Sequence, residues 1–226
     1  CKGAGVFLTS NCSSAILMSL IVADVKPGDE VIVSSFTFVT VVNAIRLLGA
    51  TPKFAEIEAE SMNLDAADVE RRINPNTKVI IFMSYGGDSA GLAQMKALAE
   101  ANHVLLVEDA AYGYMMQDVA SDEPVGTIGD FGCFSFDRTK PYQCVQGGAL
   151  IINNPDLIQK AISIYNYGTN RSEHMAGHIS FYEWVSLGFK FQMNALNATV
   201  LAAVLDESHE IKQLLQSIHH RYLSLI

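Results

Sequence analysis

Positive charge is scarce in this chain of 226 residues, where 15 Lys and Arg stand against 24 Asp and Glu for a net charge of −9. So few basic residues leave no footprint for a nucleic-acid backbone and no basic strip for a membrane surface. Long hydrophobic runs are missing too. The longest, such as Val79-Ile80-Ile81-Phe82-Met83 and Val104 to Val107, have the length of buried strands, not of a membrane span. Cys1, Cys12, Cys133 and Cys144 form no CxxC pair and no metal-ligand spacing, so a reduced, cytoplasmic compartment is expected. The chain opens on Cys1 with no charged region ahead of an apolar one, so no signal peptide is read, and the sequons at Asn11, Asn170 and Asn197 are taken as chance. His174 and His178 lie in a Gly-bounded loop without a third ligand, and His219-His220-Arg221 reads as a solvated helix face. HExxH, GxGxxG and Walker patterns are missing, and the lack of GxGxxG argues against a Rossmann-type nucleotide domain.

What is present is apolar material and rhythm. Half of the residues are hydrophobic, enough for a sizeable core in one large domain. Helical spacing over Cys12 to Ala23 is followed by a strand at Glu30 to Val33, a helix over Val41 to Leu48 and a strand at Pro52 to Ile57. Asp65 N-caps a helix to Ile73, Lys78 to Met83 is a buried strand, Leu92 to Asn102 a helix and Val104 to Val107 a strand. Beyond Lys140, a strand at Gly147 to Asn153 and a helix over Pro155 to Tyr165 precede a polar loop from Gly168 to Phe181. Helices over Asn194 to Leu205 and Glu207 to Ile226 complete the pattern. The alternation predicts an α/β fold of three layers (α/β/α) with a mainly parallel sheet, which binds ligands beyond the carboxyl ends of its strands. Phe38, Tyr85 and Asp109 each follow a strand and should converge there.

Two residues give that crevice a chemistry. Asp109 ends the run Val104 to Glu108, and Lys140 closes Gly132-Cys-Phe-Ser135-Phe-Asp-Arg-Thr-Lys140 ahead of Gly147-Gly148. A lysine amine can form a Schiff base with the aldehyde of pyridoxal phosphate, and a carboxylate can keep the pyridine nitrogen protonated. Leu8-Thr9-Ser10-Asn11-Cys12-Ser13-Ser14 offers hydroxyls and a helix N-terminus to a phosphate, with Ser135 as a further hydroxyl. Each of these has a plainer reading as a helix cap or a strand-end serine. Phe38 could cover a cofactor ring or belong to the core, and the Tyr112 phenol could donate to the ring oxygen or be a half-buried tyrosine.

The motif set resembles the DegT/DnrJ/EryC1/StrS sugar aminotransferases, pyridoxal phosphate enzymes of fold type I. The shared text is Lys26-Pro-Gly-Asp-Glu-Val-Ile-Val33, Ser35-Phe-Thr-Phe-Val39, Asn43-Ala44, Val107-Glu-Asp-Ala-Ala111, Gly126-Thr-Ile-Gly129, Cys133-Phe-Ser-Phe136, Thr139-Lys140 and Gly147-Gly-Ala-Leu150. The stretch Gly168-Thr-Asn-Arg-Ser172, with Tyr182 and Trp184, most resembles the dTDP-4-amino-4,6-dideoxygalactose transaminase branch. The resemblance implies Lys140 as cofactor anchor and proton carrier, Asp109 on the pyridinium, Phe38 on the ring, and Cys12, Ser13 and Ser135 around the phosphate. Glutamate would be the amino donor and a nucleotide-linked 4-keto-6-deoxy sugar, of dTDP type, the acceptor. The product would serve cell-surface polysaccharides such as lipopolysaccharide and enterobacterial common antigen.

Against the family pattern, Tyr112 replaces a Gln, Ser84 a His and Gln146 a Glu. Gly188-Phe-Lys190-Phe-Gln192-Met193 stands for Gly-x-Asn-Tyr-Arg-Met, a segment that in the family helps complete a partner subunit's site. Lys190, with Tyr85, is therefore a candidate for the substrate or partner-subunit site of a homodimer. Relative to the family, residues 1–226 correspond to the cofactor-binding large domain, without the segment before Cys1 and the smaller domain after Ile226. A contrasting expectation is a catalytically incompetent binding or assembly module that keeps the fold.

Overall fold

A computed structural model describes residues 5–225; Cys1 and Ile226 lie outside the described residues. The first half alternates strand and helix: β1 (Gly5–Thr9), α1 (Cys12–Val22), β2 (Glu30–Ser34), α2 (Val39–Leu47), β3 (Thr51–Ala55), α3 (Ala66–Arg72), β4 (Thr77–Met83), α4 (Leu92–Ala101) and β5 (Leu105–Asp109). The second half holds β6 (Phe131–Ser135), β7 (Gly148–Ile152), α5 (Ile158–Tyr165), α6 (Arg171–Met175), α7 (Ala195–Asp206) and α8 (Ser208–Leu223). The strands form one seven-stranded sheet in the order β1-β7-β6-β5-β4-β2-β3. β7 runs antiparallel to both of its neighbours, while the pairs from β6 across to β3 are parallel.

The apolar runs become central strands because a parallel sheet is covered on both faces. Val31, Val33, Val79, Ile81 and Val107 point to one side and pack with α1, α2 and α5. Ile32, Ile80, Phe82 and Leu106 point to the other and meet Val69 of α3 and Leu92 and Met95 of α4. A third cluster joins Phe134, Ala149 and Ile151 to Leu201 of α7 on that same side. The period of two also divides the acids of β5: Val107 and Asp109 share the α1 side, and Glu108 faces the other.

The expected α/β fold with a mainly parallel sheet is thus present, and two local expectations change. Residues 168–181 are not loop throughout, since Arg171–Met175 makes a short helix. The chain start contributes strand β1, which joins the sheet edge by antiparallel pairing with β7, for example Phe7 with Leu150. Phe7 and Thr9 are buried and Val6 and Leu8 exposed, an alternation too short to stand out from the hydroxyl-rich turn that follows.

Candidate active site

The sheet delivers its strand ends to one cleft of about 560 Å³. Ser135 closes β6, Asp109 closes β5, Ser84 and Tyr85 follow β4, and Phe36 to Phe38 follow β2, all lining it. Cys12 and Ser13, from the first turn of α1, form the adjoining wall, and Lys140 enters from the turn after β6. Of the residues singled out from sequence, Lys140, Asp109, Cys12, Ser13, Phe38, Tyr112, Ser135 and Tyr85 are brought together here. Lys190 and Gln146 are exposed and do not line this cleft.

Asp109 is the floor. It is 3 % exposed, and its Oδ1 accepts from the Ala111 N–H at 3.2 Å and from the Cys12 thiol at 3.9 Å. Burial pushes its pKa up to about 6, against the lowering pull of the Ala111 amide, the Lys140 charge and the Cys12 thiol. Burial, with Asp109 as neighbour, also pushes the Cys12 thiol well up, so it stays protonated and donates. Such a carboxylate is costly to keep charged until a cationic or N–H partner arrives.

Two helix starts meet on one wall. Asn11 caps α1, its side chain accepting from the Ser14 N–H at 2.8 Å. Ser13 Oγ and Thr40 Oγ1, each at the second position of its helix, lie 2.7 Å apart. The α2 start carries no side-chain cap, so its first N–H groups keep their capacity for an anion. Thr40 escaped sequence reasoning; the run Ser35-Phe-Thr-Phe-Val-Thr40 signals it only once α1 and α2 are known to be neighbours. Gly148 permits the approach of this loop to β7, because a Cβ there would sit 2.4 Å from the Asn11 carbonyl carbon.

Lys140 is half-buried, and its Nζ lies 3.4 Å from the centroid of the Tyr112 ring. Its N–H donates to the Asp137 carbonyl at 2.8 Å, and the Asp137 carboxylate is engaged by the N–H and hydroxyl of Thr139. Phe36 and Tyr85 stack at 4.9 Å on the far rim, and Phe38 stands exposed at the mouth. Ser84 Oγ is buried with no hydrogen-bond partner among the described residues. No group of three metal-ligating side chains exists among the described residues, and no described helix is long and apolar enough to cross a membrane. Past Lys140 the turn is strained: Val145, a β-branched residue, holds φ at 70°.

A model of the DegT/DnrJ/EryC1/StrS aminotransferase family matches residues 3–226. GDP-perosamine synthase of Vibrio cholerae is 31 % identical over 215 residues, covering 95 % of this chain and 56 % of that protein. The aminotransferase TlmJ from Streptoalloteichus hindustanus superposes with a TM-score of 0.79 at 30 % identity, over 91 % of this chain and 54 % of that one. The PLP form of Spr1654 from Streptococcus pneumoniae does so with a TM-score of 0.80 at 25 % identity, over 97 % of this chain and 59 % of that one. The chain spans about half the length of the curated relatives it matches.

Proposed function

The chain belongs to the DegT/DnrJ/EryC1/StrS aminotransferase family, and from that we propose that it is the pyridoxal phosphate-holding large domain of a sugar-nucleotide aminotransferase. The carrying observation is the buried carboxylate of Asp109 in the same cleft as Lys140, with two helix starts on the adjoining wall. The fit to the cofactor rests on that donor set. A carboxylate with its pKa at about 6 gains from a pyridine N–H, and the hydroxyls of Ser13, Thr40 and Ser135 beside the N–H groups of α1 and α2 suit a phosphate dianion. The buried, unpartnered Ser84 Oγ is a further donor on that lining.

When bound, pyridoxal phosphate supplies an electron sink for the carbon that bears the amino group. Asp109 then holds the ring-nitrogen proton, with Cys12 and the Ala111 N–H fixing the orientation of its Oδ1. Lys140 anchors the cofactor and, once free of it, carries the proton to and from the amino-bearing carbon. Phe38 covers the ring and excludes water, and the Tyr112 phenol donates to the ring oxygen. The amino donor is glutamate, leaving as 2-oxoglutarate, and the acceptor is the keto carbon of a nucleotide-linked 4-keto-6-deoxy sugar. The relative named for GDP-perosamine and the motif likeness to a dTDP-sugar transaminase support that class from two sides. Tyr85, and Lys190 reaching a partner subunit's cleft in a homodimer, serve the substrate. We place the reaction in the cytoplasm, a reduced compartment that suits the free thiols of Cys12, Cys133 and Cys144, and its product in cell-surface polysaccharides.

Titration with pyridoxal phosphate should raise a visible absorption band, and borohydride should then fix the cofactor on the peptide containing Lys140. Lys140→Ala should abolish both signals. No band at saturating cofactor, or a label on another lysine, would sink the proposal. Formation of 2-oxoglutarate from glutamate beyond one equivalent per bound cofactor, only when a dTDP- or GDP-linked keto sugar is present, separates an enzyme from a non-catalytic module of the same fold.

A further inference from the structure

Lys140 Nζ is drawn to an aromatic face. It stands 3.4 Å from the Tyr112 centroid, well inside the roughly 6 Å within which an ammonium is held by a ring quadrupole. The ion pairs found among the described residues all lie elsewhere, and the nearby Asp137 carboxylate faces Thr139. The ring is also well placed by its backbone. Ala111 N–H is tied to Asp109, Gly113 N–H donates to the Ala110 carbonyl at 2.8 Å, and Gly87 packs against the Tyr112 carbonyl, where a Cβ would approach to 3.1 Å.

We propose that the face of Tyr112 is the rest site of the Lys140 ammonium when an amino donor takes the lysine's place on the cofactor, an inference that rests on the function proposed above. In that exchange the bond from the cofactor carbon to Nζ breaks and a bond to the donor nitrogen forms. The donor ammonium gives up two protons, Lys140 gains two, and no electrons are exchanged. A contact made only by the released ammonium shifts the exchange by its own free energy, because an interaction present in one state alone biases the equilibrium toward that state. Tyr112 is thus a positioning residue. It keeps the released lysine in the cleft and lowers the cost of displacing it. For this exchange the element that matters is the ring, because the phenol's bond to the cofactor oxygen is available both before and after the lysine is displaced.

The experiment uses the whole chain loaded with pyridoxal phosphate and titrated with methylamine, which displaces the lysine but needs no donor-specific contacts. At each concentration borohydride fixes whatever cofactor remains on Lys140, and mass spectrometry counts it. Tyr112→Leu should need about three- to thirtyfold more methylamine for half-displacement, the range set by a cation–π contact of ordinary strength. Tyr112→Phe, which keeps the ring and loses the hydroxyl, should stay within about twofold of the parent on the same grounds. Tyr112 is 46 % exposed, so neither change should move the thermal midpoint. A Leu variant that titrates like the parent would overturn the inference, as would a Phe variant that behaves like Leu. If the parent captures no cofactor, the proposed function itself fails, which is a different result from either.

Discussion

Glu108 and Asp109 are consecutive buried acids on one strand, and they meet opposite fates. Glu108, 0 % exposed, points away from α1 and is saturated: its Oε2 accepts from the Gly126 N–H at 2.7 Å, and its Oε1 from Ile128 and Gly129 at 2.7 and 2.6 Å. Burial raises its pKa while those amides pull it down. Asp109 points to the cleft with one amide and a thiol, and its pKa stands at about 6. The period of two sends one carboxylate to build the fold and the next to a site whose demand the fold does not meet. Glu108 also serves the other face, because the amides it holds end the loop that carries Ala111 and Tyr112 into the cleft.

The sharpest way to break this contrast is to remove the saturated acid. Glu108→Ala strands three N–H donors in a buried setting, and should cost about 3–5 kcal/mol in denaturant unfolding. Asp109→Asn should do the reverse. It should lower turnover by about a hundred- to a thousandfold, the usual loss when a preorganised charge partner is removed, while leaving the fold intact. Its stability signature carries a definite sign. The folded pKa of about 6 lies above the ordinary value of 3.8, so between those pH values the native chain retains a proton that the unfolded chain has lost. Stability of the cofactor-free protein should therefore fall as pH rises through that window, by ~3 kcal/mol in all for a shift of about two pH units. Above it the cost is complete. Asp109→Asn should abolish that slope, and melts of both proteins at pH 4, 5, 6 and 7 check it; parallel curves would show that Asp109 is not the strained group.

Much of this division was legible in the sequence. Val104 to Val107 announces a buried strand, and Asp109, following it in a parallel sheet, is expected where ligands bind. Asp65 as a cap is equally local, and its carboxylate does accept from the Ala67 N–H at 2.9 Å. What stayed hidden depends on contacts distant in sequence. Glu108 finds its amides 18 to 21 residues away, Ser13 finds Thr40 across 27, and Tyr112 meets Lys140 only once the turn after β6 is folded. Spacing rules describe neighbours on one helix or strand, and none of these pairs are such neighbours.

The unmet costs on the cleft side include the backbone as well as charge, and Val145 gives the mildest test of that. It follows Lys140 in a turn where its φ of 70° forces a β-branched side chain into the left-handed region, at about 1–2 kcal/mol for an L-residue. The turn is held by its hydrogen bonds: the Val145 carbonyl accepts from the Arg138 N–H at 3.1 Å, and its own N–H donates to Gln143 Oε1 at 2.9 Å. The side chain is 64 % exposed, so its removal forfeits little packing. Val145→Gly relieves the strain but adds freedom to the unfolded chain, worth about 0.5–1 kcal/mol in the other direction. The balance should be a gain of about 0.5–1 kcal/mol, a rise of roughly 1–4 °C in thermal midpoint for a chain of this size. Borohydride labelling of Lys140 at limiting pyridoxal phosphate then shows what the strain does. Weaker labelling in the more stable variant would mean that the strained turn helps hold the lysine in place, whereas unchanged labelling would confine the cost of Val145 to the fold.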